Sequence, residues 1–253
     1  MPAMIDAQTA LRLLSCLDYT RLDPNDDSRQ ILAFCARAAT VVGPVAAVCV
    51  LPKFVAIARS ALANTGIAVA SVANFPGGDA PLDAIDTEVT QALGDGANEI
   101  DFVVDYRAWS RGAKIAPIES IARVRALTVG RTLKLIVESG MLDESITGDI
   151  CEVAREIGVN FIKTSTGKAA VGARIADANV MLSVCQRSQS LGFKASGGIR
   201  TGVEAAAYLQ LADSILGETN VTKARFRIGA SALLDDLLRV LGVAETSVPR
   251  GDY

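Results

Sequence analysis

The stretch Asn160-Phe161-Ile162-Lys163-Thr164-Ser165-Thr166-Gly167-Lys168 begins as an apolar strand, carries a lysine where a buried strand would carry Val or Ile, and breaks into a small polar loop. An ammonium in an apolar interior is costly unless a partner or loss of its proton relieves it, so Lys163 is a candidate for a depressed pKa and for amine chemistry. A lone strand lysine has a plainer alternative, which is to snorkel to the surface. Two further charges weigh against it. Lys194 and Asp101 interrupt other short apolar runs, Gly192-Phe193-Lys194-Ala195 and Glu99-Ile100-Asp101-Phe102-Val103-Val104. Two ammonium groups in one confined site repel, so that one loses its proton near neutral pH and becomes a nucleophile able to form a Schiff base with a carbonyl. A carboxylate in the same partly desolvated site is expected to have a raised pKa and to pass protons through water. The plain alternative for Asp101 is a structural salt bridge to one of the lysines.

Composition narrows the chemistry. The chain has no histidine, which excludes a Ser-His-Asp triad, a Cys-His pair, a histidine general base and the usual histidine-rich metal site. Its five cysteines form no CxxC pair, so neither a disulfide framework nor a zinc knuckle is expected, and the compartment is read as reducing. The first ten residues lack a cationic segment followed by a long apolar one, and no apolar run approaches membrane-spanning length; a cytoplasmic protein is expected. The net charge is −3 with Lys and Arg scattered, which leaves no basic stripe for nucleic acid and no attraction to anionic membranes. Half of the 253 residues are apolar and no linker divides them, so residues 1–253 read as one domain with a substantial core.

The elements that must position these charges alternate. Apolar runs of strand length fall at residues 17–20, 45–50, 68–72, 99–104, 132–138, from 160, 192–195 and 225–228. Amphipathic helical spacing falls at 7–16, 28–39, 54–64, 81–94, 117–127, 146–157, 175–190, 201–215 and 231–241. No two strands lie at hairpin spacing, and runs such as 45–50 are polar on neither face, as in parallel strands buried on both sides. Eight strands match a single closed (β/α)8 barrel preceded by a short helical extension. An alternative count takes 213–216 in place of 17–20, but the helical pattern there is continuous. An open Rossmann sheet is disfavoured because no strand runs into GxGxxG. The polar tail, 244–253, is read as loose.

In such a barrel the site lies where strands run into their following helices, and alternate residues point inward. That period turns Ile162 and Phe193 toward the helices and Lys163, Lys194 and Asp101 toward the interior. Three glycine-bearing turns, Thr166-Gly167-Lys168, Ser196-Gly197-Gly198 and Gly229-Ala230-Ser231, follow strands on the same side. Barrels commonly bind phosphate there with backbone N–H groups, and Lys168 or Arg200 is placed to neutralise it; either is otherwise a solvated loop charge.

The segments FIKTSTG at 161–167, KASGGIR at 194–200, Asn74-Phe75-Pro76, Glu99-Ile100-Asp101 and Gly229-Ala230-Ser231 together resemble the deoxyribose-phosphate aldolase family, in order over nearly the whole chain. The resemblance implies a (β/α)8 barrel and a class I aldolase that needs no metal or other cofactor. It would cleave 2-deoxy-D-ribose 5-phosphate reversibly to acetaldehyde and D-glyceraldehyde 3-phosphate. It implies Lys163 as the Schiff-base lysine, Lys194 as the neighbouring ammonium and Asp101 as a proton shuttle. It also places Asp18, Thr20 and Cys49 in the site, although Cys49 reads equally well as a small buried strand residue. Some members continue Gly-Ala-Ser with a second serine where this chain has Ala232, which removes one side-chain donor to phosphate. Two alternatives stay open: a Schiff-base aldolase for another carbonyl substrate, and a phosphosugar-binding protein without chemistry. The expected partners are small phosphosugars and aldehydes. A homo-oligomer is left open, since an apolar helix face can meet the barrel or another subunit.

Overall fold

The computed structural model describes residues 5–243. Eight parallel strands close into a barrel: β1 (Leu17–Arg21), β2 (Ala47–Val50), β3 (Ala68–Ala73), β4 (Glu99–Val103), β5 (Thr132–Ile136), β6 (Phe161–Lys163), β7 (Gly192–Ser196) and β8 (Phe226–Ala230). Each pairs with its neighbours in sequence, and β1 closes the ring by pairing with both β2 and β8. The helix α1 (Ala7–Ser15) precedes β1, and α2 (Ser28–Ala38), α3 (Val55–Ala61), α4 (Leu82–Gly94), α5 (Ile115–Leu127), α6 (Glu144–Ile157), α7 (Ile175–Gln186), α8 (Gly202–Leu216) and α9 (Leu233–Val240) follow the strands in turn. The alternative strand at 213–216 is therefore the end of α8. Among the described residues no helix is long and apolar enough to cross a membrane. The tail at 244–253 lies outside the described residues.

Local chemistry sets the helix starts. Asp6 caps α1 by accepting from the Thr9 amide, and Asp27 with Gln30 and Thr201 with Glu204 form reciprocal capping boxes on α2 and α8. The strands then divide their side chains by the period of two. Ile162, Phe193, Leu133 and Leu135 face outward into the apolar layer beneath the helices, with Ile150, Ala178 and Met181. Each such fully buried side chain contributes about 1.5–3 kcal/mol. Their sequence neighbours face inward, and the register puts Lys163 opposite Lys194, Lys194 opposite Arg227, and Asp101 opposite Lys134. Because paired residues of parallel strands share a face, the interior of this barrel is charged.

The structure departs from the sequence expectation at several joints. Ala39–Thr40 and Gly43–Pro44 form a small antiparallel ribbon after α2, closed by the Thr40 hydroxyl donating to the Gly43 carbonyl. A short helix, Tyr106–Ser110, follows β4 and is capped by Asp105, which accepts from the Ala108 amide. Strand β5 stops at Ile136 because Glu138 adopts a left-handed conformation, φ 56°. Helix α7 ends at Gln186, where the Arg225 guanidinium takes the carbonyls of Cys185 and Ser188. Strands β7 and β8 run one and two residues further than expected, so Ser196, Gly229 and Ala230 lie in strands.

Candidate active site

Lys163 closes β6 with its side chain 1% exposed, and its Nζ lies 2.8 Å from Asp101 Oδ2. The Lys194 ammonium, fully buried on β7, donates to the same Asp101 oxygen at 2.8 Å and to Asp18 Oδ2 at 2.5 Å. The structure thus brings together the three residues singled out for chemistry, with Asp18 as a fourth. It adds three more. Lys134 on β5 lies 3.0 Å from both Asp101 Oδ1 and Asp18 Oδ2 and also contacts Glu99. Arg227 on β8 bridges Asp18 Oδ1 at 2.5 Å and Glu99 Oε1 at 3.1 Å and lies over the Phe161 ring. Four cations therefore share three carboxylates. Within this cluster Lys134 has three ion-pair partners, Lys194 and Arg227 two each, and Lys163 one.

The expectation that desolvation raises the pKa of Asp101 is overturned. Burial does push it up, but the ammonium groups of Lys134, Lys163 and Lys194 outweigh that and hold the carboxyl well below its ordinary value. Asp18 behaves alike: burial raises it, and Lys134, Lys194 and Arg227 lower it further. Burial lowers the pKa of Lys134, yet Asp101, Asp18 and Glu99 carry it well above the usual lysine value. Both carboxylates are thus ionised throughout the working range, and Lys134 and Arg227 are permanent cations. Asp101 is at once the structural salt bridge and the group within reach of Lys163.

A cavity of about 870 Å³ opens at the strand ends beside this cluster. Thr20, Gly167, Gly197, Gly198, Arg200, Gly229 and Ser231 lie on its wall, together with Ala232. Gly167, Gly197 and Gly198 adopt left-handed φ of 77°, 89° and 85°, where the absence of a side chain lets a ligand approach the backbone. Helix α9 starts next to Ser231, and Ala232 at its N-cap provides no side-chain hydrogen bond, which leaves that end open to an anion. Lys163, Lys194 and Asp101 lie beneath the wall, not on it. Gly229 joins the two regions: a Cβ there would sit 2.9 Å from Lys194 Cε and 3.7 Å from its Nζ.

The remaining expected residues are less direct. Asp18, Cys49, Thr166 and Lys168 are off the cavity wall. Thr20 donates from its hydroxyl to the Asp18 carbonyl. Cys49 faces the barrel interior with Leu22, Ala70 and Val72, and burial pushes its thiol up to about 11, away from the thiolate form. The Thr166 hydroxyl accepts from the Lys168 amide, while the Lys168 side chain is exposed and does not face the cavity. Asn74 fixes the loop after β3: its side chain donates to the Val103 carbonyl and accepts from the Ala80 amide.

Residues 13–239 match the model of the DeoC/LacD family aldolases. This chain belongs to that family. Over 250 residues it is 41% identical to the deoxyribose-phosphate aldolase of Agrobacterium fabrum (strain C58), covering 97% of this chain and 96% of that protein. Among solved structures, the aldolase QR15 superposes with a TM-score of 0.76 at 27% identity, over 91% of this chain and 96% of that one. The tetrameric deoxyribose phosphate aldolase from Aeropyrum pernix shares the fold, with a TM-score of 0.76 at 24% identity over 93% and 96% of the two chains. For a DeoC/LacD aldolase, the residues that sequence reasoning passed over are informative. Lys134 lies between Leu133 and Leu135, Arg227 between Phe226 and Ile228, and Glu99 two places before Asp101. The rule that turned Lys163 inward would have turned all three.

Proposed function

We propose that this aldolase cleaves 2-deoxy-D-ribose 5-phosphate reversibly to acetaldehyde and D-glyceraldehyde 3-phosphate through an imine on Lys163. The observation that carries it is the charge imbalance under the glycine-walled cavity. Four cationic side chains face three carboxylates there, and Lys163, with one ion-pair partner in the cluster, is the least tied of its lysines. A free amine is the form that attacks a carbonyl. The 41% identical Agrobacterium relative supports the choice of substrate.

In the cleavage direction the neutral Lys163 Nζ adds to the C1 aldehyde of the open-chain sugar. The resulting carbinolamine loses water and becomes a protonated iminium. Two carbons leave as acetaldehyde, so the bond that breaks is C2–C3. A base takes the C3 hydroxyl proton, the oxygen closes to a carbonyl, and the C2–C3 electron pair flows into C1–C2, neutralising the iminium as an enamine. Asp101, held as a carboxylate 2.8 Å from Lys163, orients the water that carries these protons, and Lys194 in contact with Asp101 and Asp18 returns one to C2. Water then hydrolyses the iminium to acetaldehyde and free amine. Preorganised ion pairs supply the field for these charge changes without reorganising at the moment of reaction.

The phosphate is assigned to the wall formed by Gly167, Gly197, Gly198 and Ser231 with the N-terminus of α9, and Arg200 supplies charge. The test is turnover of 2-deoxy-D-ribose 5-phosphate, followed as aldehyde release, in the wild type and Lys163→Met. The wild type should turn over and the variant should be inactive while folded. Retained turnover in Lys163→Met would remove Lys163 from the chemistry.

A further inference from the structure

Glu138 is a buried acid that none of these steps uses. It is 1% exposed, and among the described residues no Lys or Arg nitrogen lies within 4.0 Å of its carboxylate. Its backbone is left-handed, φ 56°, an unusual state for a residue with a side chain. Burial raises its pKa, and the Thr166 amide and hydroxyl work against that rise, as do the more distant charges of Lys163 and Arg107. A costly buried carboxyl in a strained backbone points to a position selected for something other than stability.

Its contacts say what it holds. Both carboxylate oxygens accept from the Thr166 amide, at 3.2 and 3.3 Å. Thr166 is three residues beyond Lys163, and its hydroxyl in turn accepts from the Lys168 amide across Gly167. The surrounding backbone is locked to the same segment: the Ser139 amide donates to the Thr164 carbonyl, and Arg174 donates to the carbonyls of Ser139 and Leu142. A Cβ on Gly140 would lie 2.5 Å from the Val171 carbonyl oxygen, and one on Gly172 would lie 2.4 Å from that of Gly197. The loops after β5, β6 and β7 are thus one packed unit, and Glu138 is its polar pin beneath the turn that presents Gly167 to the cavity.

We infer that Glu138 is a positioning residue: by accepting from the Thr166 amide it fixes the Thr166-Gly167 turn as the phosphate-facing wall beside Lys163, and so sets the preference for a phosphorylated substrate. This rests on the assignment of that wall to phosphate. The role is that of a hydrogen-bond acceptor, and a neutral amide oxygen can fill it.

The experiment compares kcat/KM for 2-deoxy-D-ribose 5-phosphate with that for unphosphorylated 2-deoxy-D-ribose in Glu138→Gly and Glu138→Gln. Glycine suits the left-handed backbone, so Glu138→Gly removes the acceptor without adding strain. In Glu138→Gly the ratio of the two should fall about tenfold or more, mainly through KM for the phosphorylated sugar. Glu138→Gln should keep most of the ratio. Equal losses on both substrates, an unchanged ratio in Glu138→Gly, or a loss in Glu138→Gln as large as in Glu138→Gly would each overturn the inference. Ser231→Asp separates the two assignments, because it puts a carboxylate on the same wall. If it collapses the ratio while Glu138→Gly leaves it intact, the wall stands and the role of Glu138 falls; if neither variant moves the ratio, both fall.

Discussion

Adding one methyl group at Gly229 tests whether the placement of Lys194 matters. The new Cβ would lie 2.9 Å from Lys194 Cε and 3.0 Å from Ser196 Cβ, whereas carbon atoms pack best at about 3.5–4.0 Å. Something must move by about half an ångström or more to restore that spacing. Ser196 cannot yield easily, since it lies in β7 and its hydroxyl donates to the Ser165 carbonyl at 2.6 Å. The end of the Lys194 side chain is more flexible, but its Nζ is held 2.5 Å from Asp18 and 2.8 Å from Asp101. Relief at Cε therefore stretches one of these ion pairs. Overpacking of this kind costs about 1–3 kcal/mol, and a misplacement near 1 Å in a catalytic group costs about a hundredfold in rate. Gly229→Ala should therefore fold, melt at a lower temperature and lose about ten- to a hundredfold in kcat for aldehyde release. An alanine variant with wild-type kcat and wild-type melting would show that Lys194 has room to spare and that its position is not limiting.

The other predictions concern the buried charges. Lys134→Met leaves Asp18, Glu99 and Asp101 short of a cation in a closed interior, and breaking such a buried network costs about 3–5 kcal/mol; chemical denaturation should show a loss of that size, with activity falling alongside. The pH dependence of stability follows from the same pairs. Asp101 is depressed from 3.8, so its contribution is present above that value and is lost as the pH falls through the lower folded-state value. Lys134 is raised from 10.5, so its contribution is complete below that value and is lost only as the pH rises through the higher folded-state value. The stability difference between wild type and Lys134→Met should therefore be nearly constant from about pH 4 to pH 10 and shrink outside that window, which denaturation midpoints across pH will show.

Much of this site is written locally. The alternation of short apolar runs with helical spacing fixes the barrel, and an ionisable residue between two apolar ones declares an inward-facing charge, as at Asp101, Lys163 and Lys194. Lys134 and Arg227 carry the same signature, so they were legible in principle. What sequence does not carry is the sum. Whether Asp101 is raised or lowered depends on how many ammonium groups surround it: desolvation alone reads as a rise, and Lys134, Lys163 and Lys194 together turn it into a fall. Glu138 is illegible for another reason: nothing in Val137-Glu138-Ser139 marks a left-handed turn, because the loops packed around it, and not local propensity, hold that conformation. Cys49 shows the converse limit, since at an inward-facing position near the lysines burial still raises its thiol to about 11.

The claim on which the rest depends is that Lys163 is the amine that forms the imine. Incubating the folded protein with acetaldehyde and borohydride reduces any imine to a stable ethyl group, and peptide mass spectrometry then locates it. The geometry predicts a single ethyl group on Lys163, lost in Lys163→Met. An ethyl group on Lys194 or Lys134 instead, or none in folded and active protein, would contradict the account.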